Sequence, residues 1–256
     1  MSTVQFITSR DNPQVKAWRR LAQDSTAYRK TQQAWLEGDH LCRAALARGV
    51  RPAHAVFCES AWHGASAQWN DCADRITVLP DALWATLSGL ESASDRAFVV
   101  DIPASAMPQT GMATVVLDRV QDAGNVGSIL RSASAFGFAQ VIALRGTAAL
   151  WSPKVLRAGM GAHFGLALVD GADREVLGSL QVPLLVTSSH HGQWLHQAAL
   201  PRPCAWVLGH EGQGIDPWIE AQATMAVRIA QPGGEESLNV AAAAAICLHA
   251  SAAAVA

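Results

Sequence analysis

The sequence predicts an α/β protein made of a small α/β domain followed by a larger domain with a mainly parallel sheet. Three observations support this prediction. Short α and β patterns alternate over residues 1–102, a segment with two prolines and a glycine occupies 103–111, and longer βα units fill 112–256. A chain of 256 residues is long enough to bury a core in each domain.

The composition is that of a folded protein without a general affinity for nucleic acid or membranes. Half of the residues are apolar and 16% are charged, which is typical of globular chains. The net charge of −2 means that any contact with RNA must come from a local basic patch. The longest apolar stretch, 240–256, consists mainly of alanine and falls short of the roughly 20 strongly apolar residues that a bilayer requires. We therefore expect no membrane association.

The small domain is predicted to begin with two helices. Pro13 suits the first turn of a helix, and Val15, Trp18 and Leu21 follow at helical spacing. A second helix is predicted over 32–47 because its apolar residues keep this period up to Gly49.

Short apolar runs predict strands at 55–58 and 76–79, with a helical stretch that holds Trp62 and Trp69 between them. A short helix is predicted over 81–87, and the apolar run 98–102 closes the small domain. The tryptophans of this domain are expected in the core, with stacking on RNA bases as the alternative.

The charge of this first part of the chain is unevenly distributed. Residues 1–51 carry a net charge of +5 and residues 52–112 a net charge of −5. The basic stretch is a candidate surface for RNA phosphates, although an ordinary solvated helix face explains it equally well. Its basic residues are Arg10, Lys16, Arg19, Arg20, Arg29, Lys30, Arg43, Arg48 and Arg51.

The larger domain is predicted from alternating buried strands and helices. Continuous apolar runs favour strands that are covered on both faces, as in parallel sheets. The strands are predicted at 113–117, 140–144, 166–169, 184–188, 204–208 and 226–229, and the helices at 127–136, 153–160 and from residue 237 onward.

The cysteine and histidine patterns argue against a disulfide framework and a metal site. The five cysteines are scattered, without a CxxC pair, which favours reduced thiols in the cytoplasm. The polar residues 1–11 show no signal peptide. His190, His191, His196 and His210 are close in sequence but lack a further ligand at metal-binding spacing.

Three loops that follow predicted strands carry the candidate chemistry. The first, 118–131, places Asn125 near Arg131, whose guanidinium suits a phosphate. The second, 208–215, holds three glycines around Glu211, and the third, 229–240, ends near a new helix. Each loop alone fits a plain strand-to-helix turn. Because open α/β sheets bind ligands at the carboxyl ends of their strands, the three loops together predict one site.

In this order and spacing, the loops resemble the three motifs of the SpoU (TrmH-like) branch of the SPOUT RNA 2′-O-ribose methyltransferases. The matching residues are Asn125, Gly127 and Arg131 in the first motif, Gly209, Glu211, Gly212 and Gly214 in the second, and Ile229, Gly233, Ser237, Leu238 and Asn239 in the third. The sequence departs from the family pattern at Ala123 and Ala230, where proline is common, and after Asn239, where Val-Ala replaces Val-Ser. The opening residues are similar to an RNA-binding domain that precedes many of these enzymes.

The resemblance implies a fold, a cofactor and a set of site residues. It implies a C-terminal trefoil knot, which general folding rules oppose. It also implies that S-adenosyl-L-methionine is held by Gly209, Ile229 and Leu238, with Thr187 as a weaker candidate beside adenosine. Arg131 is expected to engage the target phosphate and stabilise charge on the ribose oxygen, since arginine is too basic to act readily as a proton acceptor. The other expected catalytic residues are Asn125, Glu211, Ser237 and Asn239.

The implied activity is methyl transfer to a ribose 2′-hydroxyl of structured RNA by a homodimer, with ribosomal RNA favoured over transfer RNA. One alternative is a non-catalytic RNA-binding protein with a vestigial cleft. Another is a nucleotide-binding dehydrogenase, which the missing GxGxxG fingerprint disfavours.

Overall fold

The protein folds into two compact units that the sequence boundaries only partly anticipate. One unit comprises Met1–Ala104 and Trp151–Phe164, and the other comprises Ser105–Leu150 and Gly165–Ala256. Residues 151–164 pack within the first unit, whereas the predicted boundary at 103–111 assigned them to the larger domain. The computed structural model describes residues 3–63, 69–88, 94–188, 191–233 and 237–254.

The helices and strands alternate along most of the chain. The strands are β1 Thr3–Phe6, β2 Gln33–Glu37, β3 His54–Cys58, β4 Arg75–Leu79, β5 Arg96–Asp101, β6 Thr114–Leu117, β7 Gln140–Leu144, β8 Ala167–Ala172, β9 Leu184–Thr187, β10 Gln193–Trp194, β11 Ala205–Leu208 and β12 Met225–Arg228. The helices are α1 Pro13–Gln23, α2 Tyr28–Thr31, α3 Asp39–Ala47, α4 Glu59–His63, α5 Asp81–Trp84, α6 Ala123–Ala135, α7 Pro153–Gly159, α8 Pro217–Glu220 and α9 Val240–Ala253. Short 3-10 helices lie at Ala162–Gly165, Arg174–Ser179 and Leu195–Gln197.

The first unit is built on a mixed sheet with the strand order β1-β4-β3-β5-β2. The predicted helix over 32–47 is wrong in its first third, because Gln33–Glu37 forms β2 and only Asp39–Ala47 is helical. Pairing antiparallel to β5 buries Trp35 and Leu36, and Gly38 adopts a φ of 110° between the two elements. Long-range pairing thus overrides the local helical pattern.

Four of the five tryptophans expected in the core of the first unit lie there, whereas Trp62 is only partly buried. Trp18, Trp35, Trp69 and Trp84 are each no more than 4% exposed. The ring centroids of Trp18 and Trp35 lie 6.5 Å apart, and those of Trp35 and Trp84 lie 6.1 Å apart. Buried rings cannot stack on RNA bases, so the alternative role is excluded for these four side chains.

The second unit contains a seven-stranded sheet with the order β10-β12-β9-β11-β6-β7-β8, in which all pairs are parallel. Leu208 of β11 pairs with Leu117 of β6, and Thr187 of β9 pairs with Val227 of β12. The carboxyl ends of β6, β11, β9 and β12 therefore lie side by side at one edge of the sheet. This edge carries the three loops singled out in the sequence.

Two helices of this unit begin at other residues than predicted. Helix α6 begins at Ala123 rather than at residue 127, because the Asp122 side chain caps it and accepts the Asn125 N–H at 2.9 Å. Asn125 thus lies in the first helical turn and not in the loop. Helix α9 begins at Val240 rather than near residue 237, because Asn239 accepts the N–H groups of Ala241 and Ala242. Among the described helices, none combines the length and apolarity needed to cross a membrane.

Helix α9 is anchored to the sheet by a buried hydrogen bond. The Trp206 indole N–H in β11 donates to the Ser251 hydroxyl at 2.9 Å, and both residues are at most 1% exposed. We expect Ser251→Ala to leave this N–H without an acceptor and to destabilise the fold by about 1–3 kcal/mol. Urea unfolding of the variant and of Ser179→Ala, whose hydroxyl is exposed, tests this prediction. Equal unfolding free energies for the two variants would contradict it.

Candidate active site

A cavity of about 370 Å³ opens at the edge of the second sheet where the three loops meet. Its walls include Thr187 at the end of β9, Gly209 after β11 and Ile229 after β12. Leu238 and Val240 line it from the start of α9. The volume lies within the usual range for small-molecule sites, and the position agrees with the rule for ligand sites in parallel sheets.

Three side chains beside this cavity form a continuous hydrogen-bonded chain. The Asn125 amide N–H donates to Glu211 Oε1 at 3.1 Å, and Asn125 Oδ1 accepts from the Asn239 amide at 3.0 Å. The three residues belong to three different predicted motifs, so the hydrogen bonds connect these motifs to one another. We call it the Glu211–Asn125–Asn239 chain.

The Glu211 carboxylate is also held by the backbone at the start of the first loop. The Gln121 N–H donates to Oε2 and the Asp122 N–H to Oε1, each at 3.1 Å. Desolvation raises the pKa of Glu211, but the hydrogen bonds from Asn125, Gln121 and Asp122 outweigh it and bring the pKa below its usual value. Glu211 is therefore ionised at neutral pH and presents a negative charge at the cavity.

The second loop is folded tightly by its own backbone and by His210. The backbone groups of His210 and Gly214 exchange two hydrogen bonds, at 3.0 and 2.9 Å. The His210 ring nitrogen Nδ1 accepts the N–H groups of Gly212 and Gln213. His210 thus stabilises the turn, and the described residues contain no group of side chains able to bind a metal ion.

An ion pair with a buried carboxylate at the end of β6 supports this second loop. Asp118, which is 2% exposed, accepts two hydrogen bonds from Arg119 and one from the Asp216 backbone at 2.7 Å. Arg119 adopts a φ of 59° and reaches the Gln213 side chain at 3.0 Å. This support was not predicted from the sequence, because Asp118 and Arg119 are far from the loop along the chain and contact it only in the folded protein.

Eight of the nine predicted site residues line the cavity or are hydrogen-bonded to residues that line it. The expected cofactor residues Thr187, Gly209, Ile229 and Leu238 all line the cavity, together with Glu211, Ser237 and Asn239. Asn125 reaches it through Glu211 and Asn239. Arg131 is different, because it lies on the exposed side of α6 and is not among the residues that line this cavity.

The sequence reasoning also missed several residues of the cavity wall. Ser188, Ile215, Gln231 and Ala243 line it without having been singled out as ligands. A signal was present for Gln231, which follows Ala230 at the point where the sequence departs from the family pattern. Residues 234–236 of the third motif and His190 of the histidine cluster lie outside the described residues.

Gly209 is required by the fold of the second loop. A Cβ atom at this position would lie 2.5 Å from the backbone of Gly214 and of Ile215. We expect Gly209→Ala to push these residues apart, to cost about 1–3 kcal/mol of stability and to weaken ligand binding in the cavity. The glycines of this loop were expected to allow a close approach to a ligand, whereas the structure shows that Gly209 approaches the protein backbone.

The matched control is Gly212→Ala in the same turn, where a Cβ atom would meet only the His210 ring at 3.8 Å. Thermal unfolding and cofactor titration of both variants test the prediction. If Gly212→Ala were as damaging as Gly209→Ala, the backbone contact would not be the cause.

Comparison with known proteins identifies the family. Residues 112–249 match the model of the SpoU rRNA Methylase family. The chain is 32% identical to an uncharacterised tRNA/rRNA methyltransferase of Synechocystis, over 97% of this chain and 93% of the relative. It is 28% identical to a 23S rRNA guanosine 2′-O-methyltransferase of Bacillus subtilis, over 95% and 97% of the two chains.

A solved structure shows the same fold. The AdoMet-bound rRNA methyltransferase of Sinorhizobium meliloti superposes with a TM-score of 0.84 at 25% identity, over 98% of both chains. The strand-tip cavity and the three matching motifs thus occur in a chain that resembles a cofactor-bound enzyme over its full length. The protein belongs to the SpoU rRNA methylase family.

Proposed function

We propose that this protein transfers a methyl group from S-adenosyl-L-methionine to a ribose 2′-hydroxyl of ribosomal RNA. The observation that carries the proposal is the Glu211–Asn125–Asn239 chain, which joins all three family motifs beside one cavity. A vestigial cleft in a non-catalytic RNA-binding protein has no need of such a fully bonded polar chain. The relatives that act on 23S rRNA favour ribosomal RNA over transfer RNA as the substrate.

The residues of the cavity fit this cofactor. Gly209, Ile229 and Leu238 offer backbone groups and apolar surface, and Thr187 offers a hydroxyl. No lysine or arginine lines the cavity among the described residues, so it suits a positively charged ligand better than a dinucleotide pyrophosphate. The bound cofactor supplies a methyl group on a positively charged sulfur, and the ionised Glu211 provides a matching negative charge nearby.

The polar residues of the site have distinct proposed roles. Asn125 and Asn239 orient the reacting ribose and keep Glu211 in place. Ser237 supplies a hydroxyl at the same wall. Arg131 binds the target phosphate with its planar guanidinium and stabilises the negative charge that develops on the ribose oxygen.

We further propose that the protein acts as a homodimer in which Arg131 serves the cavity of the partner subunit. Arg131 is exposed and lies outside the lining of its own cavity. Helix α6, which carries it, packs against α9. The exposed positions Ala242, Ile246 and His249 of α9 present a largely apolar face, with Ile246 40% exposed. Such a face along one side of α9 favours a symmetric contact between two copies.

Ile246→Lys is expected to convert the dimer into monomers and to abolish methyl transfer, because a charged amine would have to be buried in the contact. Light scattering and methyl-transfer assays on the same samples test this prediction. Met107→Lys, at a position that is 83% exposed, serves as the control and should remain dimeric and active. A dimeric, fully active Ile246→Lys protein would contradict the proposed interface.

The first unit is proposed to bind the RNA outside the reacting nucleotide. Four of the basic residues in 1–51 are neutralised by aspartates, in the pairs Lys16–Asp11, Arg20–Asp24, Arg43–Asp39 and Arg51–Asp74. Arg10, Lys30 and Arg48 form no ion pair with the described residues and remain available for phosphates. The proposed substrate, ribosomal RNA, favours a cytoplasmic location, and so do the five free cysteines.

Mapping 2′-O-methyl groups in ribosomal RNA from cells with and without the protein tests the function. We expect one ribose methyl group to disappear when the protein is removed and to return when it is restored. If all ribosomal 2′-O-methyl groups persisted while one in transfer RNA vanished, the substrate would be transfer RNA, and the proposal of ribosomal RNA would be wrong. If none changed in any RNA, the proposed activity would be wrong.

A further inference from the structure

Arg119 contacts the wall of the cavity without lining the cavity itself. Its guanidinium donates to the Gln213 side chain at 3.0 Å and to the Gly214 carbonyl oxygen at 3.4 Å. Gly214 and its neighbour Ile215 line the cavity, whereas Arg119 is not among the lining residues. Any effect of Arg119 on a bound cofactor therefore passes through the second loop.

The Arg119 side chain is itself fixed by its neighbours at this edge of the sheet. Its Nε and Nη2 atoms donate to the two carboxylate oxygens of Asp118 at 2.9 and 3.0 Å, which holds the planar guanidinium at two points. Asp118 also accepts the N–H of Asp216, on the other side of Ile215. A Cβ atom at Gly146 would lie 3.1 Å from Arg119 Cγ, so glycine leaves room there for the aliphatic part of the side chain. Each of the three side-chain nitrogen atoms of Arg119 thus donates to an acceptor within the protein, and the side chain serves this edge rather than an RNA phosphate.

The backbone of Arg119 shows that these contacts hold the residue in an unfavourable conformation. Its φ of 59° lies in the left-handed region, which residues other than glycine rarely occupy. Such a residue is strained and persists where the surrounding structure holds it, commonly at functional sites. Glycine or asparagine would adopt this backbone at lower cost, but neither has a side chain long enough to reach Gln213 and Gly214. The arginine therefore provides a contact that a residue better suited to this backbone could not.

The two halves of the second loop are anchored separately. Glu211, in the first half, accepts three hydrogen bonds from the first loop, and none of them involves Arg119. Gly214, in the second half, bonds to the His210 backbone and to Arg119. We propose that Arg119 is a positioning residue for the cofactor, which keeps Gly214 and Ile215 in place as part of the cavity wall and leaves the reacting centre around Glu211 to the first loop. The inference rests on the proposed function and adds to it a residue that sets cofactor affinity.

Arg119→Lys in the full-length protein tests the inference. Lysine keeps a positive charge beside Asp118 but lacks the planar group that reaches Asp118 and the second loop together. Arg145→Lys is the matched control, because Arg145 follows β7 at the same edge of the sheet, is 74% exposed and pairs with Asp173. Isothermal titration measures the Kd of S-adenosylhomocysteine, and thermal unfolding without ligand reports on folding. Steady-state methyl transfer to ribosomal RNA gives kcat and the KM for S-adenosyl-L-methionine.

We expect Arg119→Lys to bind S-adenosylhomocysteine roughly three- to tenfold more weakly than the wild type and the control do, as for the loss of one hydrogen bond. The KM for S-adenosyl-L-methionine should rise by the same factor while kcat stays within about twofold, which is the pattern of lost binding rather than lost chemistry. If Arg119→Lys does not fold, Asp118→Asn/Arg119→Met replaces it, because this double variant removes the loop contact and leaves no buried charge without a partner. It should show the same loss of affinity.

Two results would overturn the inference. One is a folded Arg119→Lys protein, or folded double variant, that binds S-adenosylhomocysteine as tightly as the wild type does. The other is a fall in kcat with an unchanged KM, which would show that Arg119 serves the reaction or the fold as a whole and not the cofactor. Failure of the wild type to bind S-adenosylhomocysteine at all would instead refute the proposed function, so the two failures are distinguishable.

Discussion

Replacing Arg131 with alanine should lower methyl transfer by about 10²- to 10³-fold, the range typical of a residue that stabilises developing charge. The affinity for S-adenosylhomocysteine should stay within about twofold of the wild type, because the proposed contacts of Arg131 are with the RNA phosphate and the ribose oxygen and not with the cofactor. Single-turnover rates with saturating cofactor, together with titration of the cofactor product, separate these two effects.

Arg131→Lys is the informative companion variant. It keeps the positive charge but loses the planar pair of donors that binds a phosphate at two points. We expect it to recover less than about a tenth of the wild-type rate. Near-normal turnover by Arg131→Lys would show that two-point binding of phosphate is unimportant, and the proposed role would be withdrawn.

Mixed dimers test whether Arg131 acts across the subunit boundary. A dimer that pairs an Arg131→Ala chain with a Gly209→Ala chain contains one intact cavity and one arginine, on different chains. If the arginine serves the partner subunit, this dimer has one complete site and about half of the wild-type activity. If the arginine serves its own chain, neither site is complete and the mixed dimer is inactive. Two different affinity tags allow the mixed dimer to be purified.

Among substitutions of the site residues, Asn125→Asp is expected to have the second-largest effect. The substitution replaces an N–H that donates to Glu211 at 3.1 Å with a second carboxylate of the same size. Two negative charges at this distance repel each other, which separates the first and second loops and distorts the cavity. Methyl transfer should fall by at least about a hundredfold, and cofactor affinity should fall with it.

The double variant Asn125→Asp/Glu211→Gln provides the control. In it, the amide introduced at position 211 can donate to the carboxylate introduced at position 125, and Asn239 can still donate to that carboxylate. We expect a partial recovery of activity relative to Asn125→Asp alone, which a double-mutant cycle measures. Additive losses in the double variant would mean that the hydrogen bond between positions 125 and 211 contributes little.

Much of the larger domain could be predicted from the sequence because its strands are buried on both faces. Such strands appear as uninterrupted apolar runs, and the predictions at 140–144 and 204–208 agree with β7 and β11 to within one residue. The first unit was harder to predict. β1 was missed because its four residues are exposed, and β2 was predicted as a helix because its pairing partners in β5 lie 60 to 68 residues further along the chain.

The sequence could predict which residues belong to the candidate site, but not how these residues contact one another. The three loops were recognised because they follow neighbouring strands and because their residues resemble family motifs. The contacts within the site were not predictable, since Asn125 is separated from Glu211 by 86 residues and from Asn239 by 114.

Methyl transfer to purified ribosomal RNA tests the central claim most directly. The wild type and Arg131→Ala are incubated with this RNA and methyl-labelled S-adenosyl-L-methionine, and the RNA is then digested to nucleosides for mass spectrometry. We predict that the label appears in a 2′-O-methylated nucleoside with the wild type and is almost absent with Arg131→Ala. Label in a methylated base, or equal labelling by both proteins, would contradict the proposed site and its chemistry.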